Sequence, residues 1–185
     1  MFFQWGDTQG YKVTLGEETD EEYIYNIVSM EPEIKQFASD FSDYKFYSND
    51  TFTKYNGSDG LTTLELIDDA ANIYYSKMKM PTKEECMELV NNTTFAWTDN
   101  YNGTNVKGCI LTSKVDETKS IFVPAVGSVG DDVAGDIGFS GFFWSSTLFE
   151  YDYRSAFFFL SDSSFCDVRG CRSYYGIPVR GVLIK

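Results

Sequence analysis

The sequence predicts an α+β chain, and three observations lead there. Two helical stretches lie in the middle of the chain, one strand-like segment precedes them, and a run of strand-like segments divided by turn residues follows them. The opening "MFFQWGD" (1–7) alternates as a strand does, with Phe3 and Trp5 on one face. Residues 8–60 are acidic, tyrosine-rich and punctuated by Ser, Asn and Gly. Within them "EYIYNIVSM" (22–30) fits a strand or a short helix, and "SNDTFTKYNGSDG" (48–60) is turn chemistry. In "LELIDDAANIYYSKM" (64–78), Ala70, Ile73, Tyr74 and Lys77 follow helical spacing, with Asp68 and Asp69 near the positive end of the helix dipole. In "MPTKEECMELVNN" (80–92), Thr82 and Glu85 form a capping box, and Cys86, Leu89 and Val90 make a buried stripe.

Beyond residue 93 the period shortens. "TFAWTDNYNGTNVKGCILTS" (94–113) reads as two strands around an Asn-Gly turn. "KSIFVPAVGSVGD" (119–131) reads as one strand stopped by Pro124, and Gly127, Gly130, Gly135, Gly138 and Gly141 mark a long irregular loop. "FFWSST" (142–147), "SAFFFLS" (155–161) and "IPVRGVLIK" (177–185) complete the strand-like set.

At 185 residues the chain fits a single domain, 1–185, large enough for a core without metal or disulfide staples. The net charge of −13 disfavours nucleic acid and anionic membrane surfaces as partners. No apolar run approaches membrane-spanning length, and the N-terminus lacks the pattern of a signal peptide, so neither membrane insertion nor a leader is expected.

Catalytic signatures are missing. Without histidine, Ser-His-Asp and Cys-His arrangements are ruled out, and no phosphate-binding glycine loop occurs. The pairs Asp68–Asp69 and Asp131–Asp132 are adjacent in sequence, so their carboxylates diverge and neither is a ready acid/base dyad. "GDDVAGD" (130–136) offers oxygen ligands without the spacing of a recognised calcium loop. Cys86, Cys109, Cys166 and Cys171 match no zinc pattern. A disulfide could close the short Cys166–Cys171 loop, and free thiols explain the sequence equally well. The expectation is a non-enzyme with no metal and no cofactor.

The tail carries the informative bias. Residues 145–184 contain no Lys, Gln, Met or Trp and a single Glu, Glu150. The same five types make up 32 of residues 1–144, a proportion that would put about nine in a stretch of forty. Recognition surfaces favour Tyr, Phe, Ser, Gly, Asp and Arg: rigid rings supply contact area, small polar groups adapt, and Arg forks to carboxylates. Lys is depleted at such patches. A genetic cause leaves the same signature, because these five residues are the ones that codons ending in a pyrimidine cannot encode. Randomising AAY codons would produce the bias.

The stretches "FFQWGDTQGY" (2–11), "DDAA" (68–71), "MPTKEECMELVNNTTFAW" (80–97), "SIFVPA" (120–125), "GFFWSS" (141–146) and "YYGIPVRGVL" (174–183) together resemble the variable proteins of diversity-generating retroelements. The resemblance is to the C-type-lectin-fold form found in gut phages and bacteria. It covers about 1–10 and 55–185, with 11–54 as a divergent insertion. It implies a C-type lectin-like fold in which two helices flank a small twisted antiparallel sheet with long loops, and a variable face spanning 142–173. It also implies recognition of a protein or glycan receptor on a host or neighbouring cell, placement on a virion or bacterial surface, and room for oligomerisation. Glu-Pro-Asn and Trp-Asn-Asp, the lectin calcium-site sequences, are missing. The alternatives are a calcium-dependent carbohydrate-binding lectin and an enzyme of the sulfatase-modifying fold, whose paired cysteines find no match here in context.

In that frame Trp144, Ser145, Ser146, Tyr175, Gly176, Val179 and Arg180 are structural, with Arg180 expected to bind a carboxylate or carbonyl inside the fold. The ligand-contact candidates lie between the frame motifs: Phe149, Tyr151, Tyr153, Arg154, Phe157, Phe159, Asp162, Phe165, Asp167, Arg169 and Ser173. Period 2 puts Ala156, Phe158 and Leu160 on a core face of "SAFFFLS", and Phe157 and Phe159 outward.

Overall fold

The computed structural model describes residues 1–33 and 40–184. In chain order the strands of the first half are β1 (Lys12–Glu18), β2 (Tyr25–Glu31), β3 (Tyr47–Ser48), β4 (Thr51–Phe52) and β5 (Met78–Lys79). Helix α1 (Ala70–Tyr74) precedes β5, and α2 (Lys83–Asn92) follows it. The second half holds β6 (Thr93–Thr98), β7 (Gly108–Ser113), β8 (Ser120–Pro124), β9 (Val126–Gly130) and β10 (Val133–Ile137). It closes with β11 (Gly141–Leu148), β12 (Ser155–Ser161), β13 (Cys166–Arg172) and β14 (Val182–Leu183).

The protein is mostly β, with 43% strand against 12% helix, and the strands of the described residues form five small sheets. This corrects the α+β expectation and, with it, the C-type lectin-like fold of two helices flanking one sheet. The first expected helix shrinks to a 3-10 turn at Leu66–Asp68 and five residues of α1. Both aspartates of "DDAA" also hold groups from outside the stretch, and this breaks it. Asp69 caps α1 through Asn72 N and also accepts from Met80 N, folding the chain back, while Asp68 binds side chains of the 45–55 segment. Five helical residues cannot sustain themselves by propensity. The second helix forms as expected: Thr82 and Glu85 make the reciprocal capping box, and Cys86 is buried with Leu89 and Val90 packed beside it.

Sheet β11–β12–β13 is antiparallel and has a core on each face. On one face Phe142, Trp144, Leu148, Ala156, Phe158 and Leu160 join Trp5, Tyr44, Phe46, Tyr55 and Met80. On the other, Phe143 and Phe159 stack at 4.5 Å over Cys86 of α2 and over Cys109, Leu111 and Val123 of the β6–β7–β8 sheet. The indoles tie the N-terminus to β11: Trp144 Nε1 donates to Phe3 O at 2.8 Å, and Trp5 Nε1 to Ser145 O at 2.8 Å. The opening residues are therefore a pinned extended segment, bridging at Phe2–Tyr11 and Phe3–Ile177, with Gln4, Trp5 and Phe3 all buried.

The glycine-marked region 126–138 is a hairpin and not an irregular loop. β9 and β10 pair with Val133 opposite Gly130, and Asp131 and Asp132 both take positive φ, as a two-residue type I′ turn requires. The sequence considered for calcium is this turn, and among the described residues no group of three acidic, cysteine or histidine side chains gathers as a metal site. Segment 11–54 is built into the fold where described. β1 and β2 extend the hairpin into the sheet β1–β2–β10–β9, and Tyr44, Phe46 and Phe52 roof the larger core. No helix among the described residues is long and apolar enough to cross a membrane.

Candidate ligand-recognition face

The β11–β12 connection, residues 149–154, is a compact loop. Phe149 N donates to Ser155 O, Asp152 N to Phe149 O and Ser155 N to Asp152 O, so the loop folds on its own backbone. Asp152 is its hub. Its carboxylate accepts from Arg154 N at 3.0 Å and Arg154 Nε at 2.9 Å, and from the Arg172 guanidinium of β13. Burial alone would raise the Asp152 pKa, but the hydrogen bonds from the two arginines and the backbone outweigh it and hold the carboxyl below the usual range.

The loop borders an open cleft of about 700 Å³, walled by Gly57, Gly60, Leu61 and Thr62 upstream, by Lys83 and Glu84 at the start of α2, and by residues 147–154. Main-chain bonds position these walls: Leu64 N donates to Ser146 O, Leu148 N to Thr62 O, and Lys83 N to Thr147 Oγ1 at 3.0 Å. Along the floor, aromatic groups touch in series. Tyr151 meets Phe149 at 5.6 Å, Phe149 meets Phe157 at 4.9 Å, and the Lys83 ammonium lies 4.1 Å from the Phe157 ring centre while pairing with Glu150 at 3.3 Å. Tyr153 rests edge-on against Phe52 at 5.2 Å, and Tyr151 is 82% exposed. Phe149 lies over Gly170, where an added Cβ would come within 2.4 Å of its ring.

The structure thus brings Phe149, Tyr151, Tyr153, Arg154 and Phe157 to one cleft. Phe157 is only 6% exposed, so it serves as a floor and not as an outward side chain. Asp167, Arg169 and Phe165 lie on and beside the edge strand β13, where Asp167 also lines an adjoining hollow with Phe149, Tyr151 and Phe157. Arg169 Nε pairs with Asp167 Oδ2 at 3.1 Å, and the guanidinium lies 5.0 Å over the Phe165 ring. In register, Arg169 sits opposite Phe158 and Asp167 opposite Leu160, whereas Gly170 sits opposite Phe157. Asp167 and Arg169 therefore alternate with Gly170 along the edge strand, and Asp167 still reaches the hollow beside Phe149.

Three candidates are corrected to framework. Phe159, expected outward, is wholly buried because β12 has a core on both faces. Asp162 is buried as the turn residue between β12 and β13, with Oδ1 accepting from Ser164 N and Phe165 N. Ser173 is buried beneath the loop, its N and Oγ both donating to Arg154 O. Arg180 behaves as expected, donating to Phe122 O at 2.9 Å, with its pKa lowered by burial. Sequence reasoning missed Asp152, Lys83 and the Gly57–Thr62 wall. The Asp-x-Arg spacing of 152–154 was a legible signal for the first; the other two come from distant segments. Cys166 and Cys171 are free thiols five residues apart on one strand, so they point to opposite faces, which excludes the loop disulfide.

Comparison with family models, with curated proteins and with solved structures finds no match for this chain.

Proposed function

We propose that this protein is a recognition module whose cleft-and-edge face grips a macromolecular receptor, and that this face is diversified by adenine-directed mutagenesis as in retroelement variable proteins. One coincidence carries the reading. The stretch lacking Lys, Gln, Met and Trp supplies one wall of the open cleft and the edge strand beside it, and among its exposed side chains Tyr151, Tyr153, Arg154, Asp167 and Arg169 are types favoured at recognition surfaces. Its buried members form a rigid two-core sheet that would hold such a face while its contacts change. Burying one large aromatic side chain is worth about 1.5–3 kcal/mol, so Tyr151, Tyr153 and the half-buried Phe149 supply an anchor. A protein or glycan receptor on a host or neighbouring cell is the partner class this chemistry suits, with attachment to a virion or bacterial surface as the setting and no reaction performed.

The test is the DNA beside the gene, followed by sequencing of the locus in a population. A reverse-transcriptase gene and a near-copy of the coding sequence for the tail, differing only at adenines, supports the reading. So does variation concentrated at Tyr151, Tyr153, Arg154, Asp167 and Arg169 while Phe159, Asp162 and Ser173 stay fixed. Variation spread evenly over buried and exposed positions, with no template copy, would sink it.

A further inference from the structure

Two thiols from different sheets meet behind the recognition face. Cys109 lies on the central strand of β6–β7–β8 and Cys166 begins the edge strand β13. Their sulfurs are 3.8 Å apart across 57 residues of chain. Both pack in the core that holds Phe143, Phe159 and Cys86, with Cys109 wholly buried and Cys166 half-buried. We propose that Cys109 and Cys166 are an oxidation site that closes to an inter-sheet disulfide, locking the edge strand that carries Asp167 and Arg169 onto β7.

The pair differs from the other two thiols. Cys86 is pushed up to about 12 by burial, with Glu85 and Glu84 adding to it, and Cys171 is raised by burial alone. Within the pair, the hydrogen bond between the sulfurs is the largest influence: it favours ionisation of Cys109 and disfavours that of Cys166. The two sulfurs are therefore coupled through direct contact, as two thiols that join on oxidation must be.

With hydrogen peroxide as oxidant the chemistry balances. One thiolate attacks a peroxide oxygen, the O–O bond breaks, and a sulfenic acid and hydroxide form. The second sulfur displaces the hydroxyl group from that sulfenic acid, and the protons released make the departing oxygens water. Two thiols and one peroxide give one disulfide and two waters. The bond requires the sulfurs to close from 3.8 Å to about 2.05 Å. The inference holds whatever ligand the face binds.

The full chain is treated with hydrogen peroxide under native conditions, digested without reductant and mapped by mass spectrometry. The expected result is a cross-linked peptide pair containing Cys109 and Cys166, two hydrogen masses lighter than the separate peptides and separated by reductant. Unfolding temperature should rise by about 5–10 °C, as for a disulfide closing a long loop. Cys171→Ser should keep both effects, and Cys166→Ser should lose both. Sulfinic acid at Cys166 without a cross-link, a cross-link only through Cys86 or Cys171, or bond formation only after unfolding overturns the proposal.

Discussion

Replacing Asp68 by Asn should loosen the wall of the cleft from the core, and the size of the effect follows from the network around it. The Asp68 carboxylate, with a side chain 7% exposed, accepts from Lys45 Nζ at 2.8 Å, Lys54 Nζ at 2.5 Å and Tyr55 Oη at 2.9 Å. These bonds hold the 45–55 segment, which runs directly into the Gly57–Thr62 wall. Breaking a buried pair costs about 3–5 kcal/mol. The two lysines are 34% and 27% exposed and regain water when freed, so the expected loss is lower, about 2–3 kcal/mol. For a chain of this size that is a fall in unfolding temperature of about 4–12 °C. Burial pushes the Asp68 pKa up, but the bonds from Lys45, Lys54 and Tyr55 together outweigh it and leave it lowered. A lowered folded pKa contributes stability that is complete above the unfolded value near 3.9 and disappears as pH falls through the folded value. The gap between wild type and Asp68→Asn should therefore be full at neutral pH and narrow progressively below about pH 4. Asp7, Asp69 and Asp136, whose pKa values burial raises, work in the opposite sense in both proteins and cancel in the difference. Thermal unfolding by circular dichroism across pH is the assay. A gap under about 1 °C at pH 7, or one that stays constant on acidification, would refute the reasoning.

Two further outcomes separate framework from face. Phe159→Ala should cost about 3–5 kcal/mol, because it empties the stack with Phe143, whereas Tyr151→Ser should change stability by less than about 0.5 kcal/mol; chemical denaturation of both variants measures the contrast, and equal losses would contradict the two-core placement of β12. Gly170→Ala should destabilise by about 1–3 kcal/mol and displace Phe149, since its new methyl would meet that ring at 2.4 Å; a crystal structure of the variant with Phe149 unmoved would count against this packing.

Local signals were legible where chemistry is local. The Thr82–Glu85 box and the strand pair around Asn102–Gly103 are short-range patterns, and each appears where the residues put it. The connection between that strand pair is longer than a tight turn, with Asn102 and Gly103 both at positive φ inside it. Periodicity failed at "SAFFFLS", because alternation tells which residues share a face and not whether the second face is also covered. The long helix expected over 64–78 does not form: Asp69 does cap α1, but it also accepts from Met80 N and folds the chain back, and the bonds of Asp68 run to Lys45, Lys54 and Tyr55. Strand β13 was hidden in a polar stretch, since an edge strand alternates Asp167 and Arg169 with Val168 and Gly170 and buries little.

Composition, charge, the capped helix α2 and the bias of the tail are legible without coordinates, because neighbouring residues or simple counting carry them. Only the tertiary structure decided which tail residues are exposed, which sheet faces meet a second core, and that Cys109 faces Cys166 across 57 residues. The reason is physical: burial and proximity depend on what packs from distant parts of the chain, and no residue's local pattern records its partner across the fold.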